Sequence, residues 1–217
     1  MRKRVEVLKL GEGPSRSGLR SDLAEQIETA DKGIARMIRS AATELELLDT
    51  PFLKKGRVCQ FTYSTSQGPM SFFIGSSDTG WAGLLSGQPK NFFRLAKVGQ
   101  LEFDRHEDHL NYLFTYLKST RAIASEFRVL RSAQELKLSP AARASSALAK
   151  EKESQLKEIR SAYQSLIEPP SISSRIPLRA VIFAVKKRDL VRYDLELNRD
   201  GIVEEIETPL EFNLPLS

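Results

Sequence analysis

Hydrophobic positions along the chain change period several times, and each change predicts a different element. Residues 4–10 alternate apolar and polar, as in a short strand. Leu23, Ile27, Ile34, Met37/Ile38, Ala41/Ala42 and Leu45 fall at helical spacing, behind Ser21-Asp22 as a cap with Glu25 three residues beyond Asp22. The spacing predicts an amphipathic helix to about Leu48, interrupted by Gly33 and stopped by Asp49-Thr50-Pro51. The period then drops to two. Val58, Gln60 and Thr62 alternate with Cys59, Phe61 and Tyr63, and Met70 to Ile74 is a second strand across a Ser/Gln/Gly-Pro connection, so Arg57–Tyr63 and Met70–Ile74 form a predicted hairpin. Phe92 to Val98 suits a short helix leading into a strand at Gly99–Phe103.

From His106 the helical period returns. Leu110, Leu113/Phe114, Leu117, Ala124, Phe127 and Leu130 make one stripe, predicting a helix to about Leu136. Ser139-Pro140 breaks it, and a second helix is expected from Ala141 to Glu168 on Leu148, Leu156, Ile159, Tyr163 and Leu166. Two arms of about thirty residues, roughly 45 Å each at 1.5 Å per residue, would pack antiparallel as a helical hairpin. After the Pro169-Pro170 linker come strands at Leu178–Lys186, Leu190–Leu197 and Ile202–Glu207, with Asn198 to Gly201 as a hairpin turn. The fold class predicted is α+β: small antiparallel sheets, an N-terminal helix and a long antiparallel helical hairpin. Four stretches follow: 1–50, 51–104, 105–168 and 171–217, the strands of the last free to join the sheet of 51–104.

Composition sets the class. In 217 residues no apolar run reaches the roughly 18 that a membrane-spanning helix needs, so no membrane is expected. The basic start, Met1-Arg-Lys-Arg, lacks a secretory apolar core, and the single cysteine, Cys59, precludes an internal disulfide. A cytoplasmic protein is the expectation. The net charge of +5 is uneven: 21–50 carry seven acidic residues against three basic, whereas 51–100 carry six basic against Asp78 alone.

That basic stretch also holds eight of the seventeen aromatics. Cations interleaved with rings on a small sheet suit a polyanion with stackable bases, making nucleic acid, or a protein complex carrying it, the expected partner. The candidate binding residues are Lys54, Lys55, Arg57, Tyr63, Trp81, Lys90, Arg94 and Lys97. A metal is the alternative: His106 and His109, at i and i+3 on a helix with Asp104 beside them, could offer ligands to a divalent transition metal. Otherwise no cofactor is expected. Self-association or a protein partner through the hairpin at 105–168 is a third reading. Gly13 to Gly18 has the glycine spacing of a phosphate loop but Leu19 and Arg20 where Lys and Ser/Thr are required, and Asp78-Thr-Gly80 has no second aspartate. No nucleophile elbow is present, and no catalytic residue is assigned.

Residues 57–103 resemble the C-terminal, FKBP-like domain of the GreA/GreB transcription-factor family. The shared order is strand Arg57–Tyr63, strand Met70-Ser-Phe-Phe-Ile-Gly75, loop, helix Phe92–Lys97, then Val98-Gly-Gln-Leu-Glu102. The resemblance implies contact with RNA polymerase or its nucleic acid. The family's Ser-Pro-hydrophobic-Gly segment is absent, and its coiled-coil hairpin precedes this domain instead of following it. The expected tip here, Glu135 to Arg143, lacks the family's acidic Mg²⁺ ligands, so transcript cleavage does not carry over.

Overall fold

The alternation of Arg57–Tyr63 organises the first sheet, and both of its faces are covered. A computed structural model describes residues 16–66, 68–138 and 146–216. In it β2 (Gly56–Thr65) and β3 (Gly68–Ser77) pair antiparallel from Gly56↔Ser77 to Thr65↔Gly68. β1 (Thr43–Leu47) flanks β2 and β4 (Ala82–Leu84) flanks β3, giving the order β1-β2-β3-β4. One face carries Cys59, Phe61, Phe72 and Ile74 and packs beneath α1 (Arg16–Glu28) and α2 (Lys32–Arg39). There Phe61 and Phe72 stack with ring centres 5.3 Å apart. The other face, with Val58 and Phe73, meets α3 (Pro89–Val98) and α4 (His106–Thr120). Gly75 lets α3 approach: a Cβ there would sit 2.8 Å from the Leu95 side chain.

The second sheet is a meander of β7 (Leu178–Lys186), β8 (Asp189–Leu197) and β9 (Val203–Glu211), with β5 (Phe127–Leu130) and β6 (Ser171–Ile172) both paired to the free side of β7. Ala180, Ile182 and Ala184 of β7 and Val191, Tyr193 and Leu195 of β8 close on the same core as α3 and α4. Those two helices therefore form a layer between two sheets. Tyr112 of α4 is buried, ringed by Phe52, Phe92 and Phe103, and its hydroxyl donates to the Gly201 carbonyl in the β8–β9 turn. Phe183, Val185 and Leu190, on the outer face of the second sheet, lie under α5 (Ser146–Tyr163), chiefly Leu156, Ile159 and Tyr163.

The expected helical hairpin is absent, and this corrects the predicted fold class: the chain is α+β with two antiparallel sheets of four and five strands, neither of them small, and five helices among the described residues. The stripe read from Leu110 to Leu130 combines two elements. α4 ends at Thr120, whose hydroxyl bonds back to the Tyr116 carbonyl at 2.7 Å, and between Leu117 and Ala124 only Ile123 is a large aliphatic. Ala124 then takes φ 58 and donates its N–H to Ser71 O at 3.0 Å. Phe127 and Val129 point to the core with Arg128 exposed between them, a strand period read as a helical one. α5 does form, but its apolar stripe lies on the second sheet. The expected tip beyond Leu138 falls outside the described residues.

The predicted N-terminal helix is likewise three elements. Asp31 caps α2 by accepting from the Gly33 and Ile34 N–H groups at 2.9 Å. Ser40 then leaves the helix in an extended conformation, and Thr43–Leu47 becomes β1. The strand expected at Gly99–Phe103 reduces to a bridge between Leu53 and Leu101. The strand at 4–10 and Gly11 to Gly13 lie outside the described residues, while Gly18 falls within α1.

Candidate nucleic-acid interface

α3 begins with Pro89 in its first turn and turns Phe92, Leu95 and Ala96 into the core. That orientation leaves Lys90, Arg94 and Lys97, at i, i+4 and i+7, on one exposed face. None of the three forms an ion pair among the described residues. The Arg94 guanidinium lies 5.5 Å from the centre of the Trp81 ring. The indole in turn rests on Gly83, where a Cβ would come within 2.6 Å of it. Lys55 is exposed just beyond the end of α3, fixed by its N–H donating to Gly99 O at 2.9 Å.

Five candidates thus gather around α3: Lys55, Trp81, Lys90, Arg94 and Lys97. The rest are disposed differently. Lys54 pairs with Asp104 at 2.5 Å and Arg57 with Asp78 at 2.6 Å. Both pairs are solvent-exposed, so they are weak and a phosphate can compete for either cation. Tyr63 lies across the sheet, packed with Cys59 and Phe61 toward α1 and α2. Of the aromatics in this stretch, Phe52, Phe61, Phe72, Phe73 and Phe92 are buried, while Phe93 is half-buried and stacks on Tyr116 at 5.6 Å. Cys59 is buried too, and burial pushes its thiol up to about 12, which leaves it unreactive.

Beside Arg94 and Lys97 runs a groove of about 750 Å³. Its far wall is the β8–β9 turn, which adds Arg199 and the exposed Ile202; Glu102 and Asp200 also line it. Sequence reading reached this turn only as a turn. Nothing in the local pattern relates Arg199 to Arg94, because the Tyr112–Gly201 hydrogen bond and the core beneath it bring them together.

The metal candidates do not converge. His109 stacks on Phe103 with centres 4.1 Å apart and turns its Nδ1 to the His106 carbonyl at 3.2 Å. The two imidazoles are 6.0 Å apart, and Asp104 is engaged by Lys54. The buried carboxylate nearby, Asp108, caps α4: it accepts from the Arg105 backbone at 2.9 Å and its guanidinium at 3.1 Å. Burial raises its pKa, but these hydrogen bonds outweigh that and hold it below the usual carboxylate range. Among the described residues no three His, Cys, Asp or Glu side chains are grouped to hold an ion.

A second set of charges lies where α4 ends against the second sheet. Arg121, its side chain 10% exposed, chelates Glu205 at 3.1 and 2.7 Å and sits over the rings of Tyr116 and Tyr193. Glu207 accepts from Lys186 at 2.7 Å and from the Tyr193 hydroxyl at 2.8 Å. Burial pushes Tyr116 up to about 12, with Glu205 adding to the rise. Burial also raises Glu207, but the bonds from Lys186 and Tyr193 prevail and keep it below the usual carboxylate range. Each charge in this cluster has a partner, and together they fasten α4 to β9. Sequence reading missed the cluster because its members are scattered from Tyr116 to Glu207.

No family model, curated protein or solved structure matches this chain. Among the described residues, no helix is long and apolar enough to cross a membrane.

Proposed function

We propose that this chain binds nucleic acid through the exposed face of α3, by phosphate neutralisation with base stacking. One observation carries the reading: Lys90, Arg94 and Lys97 are aligned on a packed helix and form no ion pair among the described residues, with Arg94 held over Trp81. Aligned cations meet successive phosphates, and an indole beside them offers a stacking surface. β2, β3 and α3 keep part of the order of the GreA/GreB resemblance, although β4 is inserted before the helix and the strand after it is reduced to a bridge; that partial order supports nucleic acid carried by RNA polymerase as the setting.

The test is fluorescence anisotropy of labelled single- and double-stranded oligonucleotides at ~50 and ~200 mM salt, a range over which phosphate-driven binding weakens steeply. The Lys90→Glu/Arg94→Glu/Lys97→Glu variant is expected to bind at least tenfold more weakly. Its salt slope should be shallower by about 2, at ~0.7 for each phosphate no longer neutralised on a single strand. Wild-type affinity in that variant, with an unchanged melting temperature, would remove α3 from the interface.

A further inference from the structure

A second cationic surface lies at the opposite end of the second sheet and uses no residue of 51–104. The turn from β7 to β8 is fixed on two sides. Lys187 donates its N–H to Glu126 O at 2.8 Å, fastening the turn to the chain entering β5. The C-terminal tail folds back on it, with Leu214 N–H donating to Arg188 O at 2.6 Å. Between these segments and the chain that leaves the short 3-10 turn Ala133–Glu135 runs a groove of about 740 Å³. Phe127 and Val185 line its apolar part. Arg128, Lys137, Lys187 and Arg188 contribute four cations to it, against the single carboxylate of Glu126. None of the four forms an ion pair among the described residues.

Both guanidiniums are pre-aligned. Arg128 spends one N–H on Glu135 O at 2.8 Å, and Arg188 spends Nε–H on Leu214 O at 3.1 Å. Each is thereby held in place by a backbone carbonyl, which is neutral, and keeps its full charge and its remaining donors. A planar, anchored guanidinium suits the forked recognition of a phosphate better than a freely moving ammonium. Cations elsewhere on this sheet are each answered by a carboxylate of the same sheet: Arg179 by Glu196, Lys186 by Glu207 and Arg192 by Asp194. The excess at this one groove is therefore local.

We infer that this groove is a second seat for the phosphodiester backbone of a nucleic acid, separate from α3. Its charge calls for a polyanion, and a concave groove admits a strand but not the plane of a bilayer. Arg188 and Arg199 bracket the nine residues of β8, so the two seats are roughly 30 Å apart at ~3.4 Å per residue. A duplex needs about nine base pairs to span that distance. That both seats serve one long ligand rests on the reading of α3 given above; the second seat itself does not.

The experiment compares the full chain with an Arg128→Glu/Lys187→Glu variant, using a labelled single strand of ~30 nucleotides across the same salt range. Affinity is expected to fall about tenfold, with the salt slope shallower by about 1.4 for two phosphates no longer neutralised. Unchanged affinity and slope overturn the inference. Since both side chains are exposed, the melting temperature should hold; if it drops, Arg128→Gln/Lys187→Gln replaces the variant, with a threefold loss expected and no loss overturning the proposal. The α3 variant separates the two ideas. Loss in the α3 variant alone leaves the α3 reading standing and sinks the second seat, whereas loss in the groove variant alone does the reverse. Binding to anionic vesicles but not to the oligonucleotide overturns both.

Discussion

Arg94 lies 5.5 Å from the ring of Trp81, and Arg121 lies 5.4 Å from that of Tyr193: two near-identical distances on guanidiniums in opposite circumstances. Arg121 is enclosed and answered by two carboxylates, Glu205 directly and Glu207 at 4.0 Å, and Glu207 is itself held by Lys186 and the Tyr193 hydroxyl. Arg94 is exposed, flanked by Lys90 and Lys97, and has no carboxylate partner among the described residues. The difference lies in where the charge is satisfied. A buried ion needs a partner within the fold, because desolvation leaves it nothing else. An exposed row of like charge is tolerated at some electrostatic cost and stays available to something outside.

The contrast can be broken most sharply at Arg121. Replacing it by Met leaves Glu205, whose side chain is 27% exposed, without its chelating partner. A loss of about 2 kcal/mol in chemical denaturation is expected, less than a fully buried pair would show because water reaches the carboxylate. A loss below ~0.5 kcal/mol would mean that the cluster does not hold α4 to β9. Next is Trp81→Ala, expected to weaken oligonucleotide binding by about 1–2 kcal/mol, the worth of one stacked base, while leaving the salt slope intact. A change in slope instead would show that the indole acts by positioning Arg94.

Titration tests the enclosed cluster from both ends. Burial lifts Tyr116 from its ordinary value of 10.0 to about 12, so its neutral form contributes stability in full below pH 10, and that contribution is lost as pH rises through about 12. Tyr116→Phe cannot ionise and should unfold at a higher pH than wild type in an alkaline melt. Glu207 runs the other way. Held below its ordinary value of 4.5, it contributes above that value, and the contribution is lost as pH falls beneath it. Glu207→Gln should flatten the acid limb of stability against pH. The smallest effect belongs to the exposed pair: Lys54→Gln removes the ion pair with Asp104 and should leave the melting temperature essentially unchanged. A larger change would place that pair with the enclosed class.

Arg94 and Lys97, three positions apart in the helix expected from Phe92, are legible in the sequence alone as neighbours on one face, whereas Lys90 joins them only because α3 starts at Pro89. Strand alternation is equally legible at Arg57–Tyr63. Relations fixed only by tertiary packing are not. Lys54 and Asp104 pair across 50 positions and Arg57 and Asp78 across 21, so no local pattern shows their neutralisation. Arg199 reaches the α3 groove, and Arg128 meets Lys187, for the same reason. The missing hairpin fails differently: Leu110 to Leu117 is a true helical stripe, and Ala124, Phe127 and Leu130 extend its spacing by coincidence, although Phe127 and Val129 obey a strand's period. Thr43 to Leu47 misleads in the same way, since Leu45 fits both periods.

The layer of α3 and α4 between the two sheets has a consequence for how the molecule reports on its ligands. One apolar core takes side chains from both sheets and from both helices, so neither sheet can lose its packing while the other keeps it. Unfolding should therefore be a single event, and anything that occupies the outer face of α3 should raise one melting temperature for the whole chain by simple mass action. In that sense the helix is also a gauge: heating the protein with a candidate ligand, with no label on either, registers occupancy at the outer face of α3.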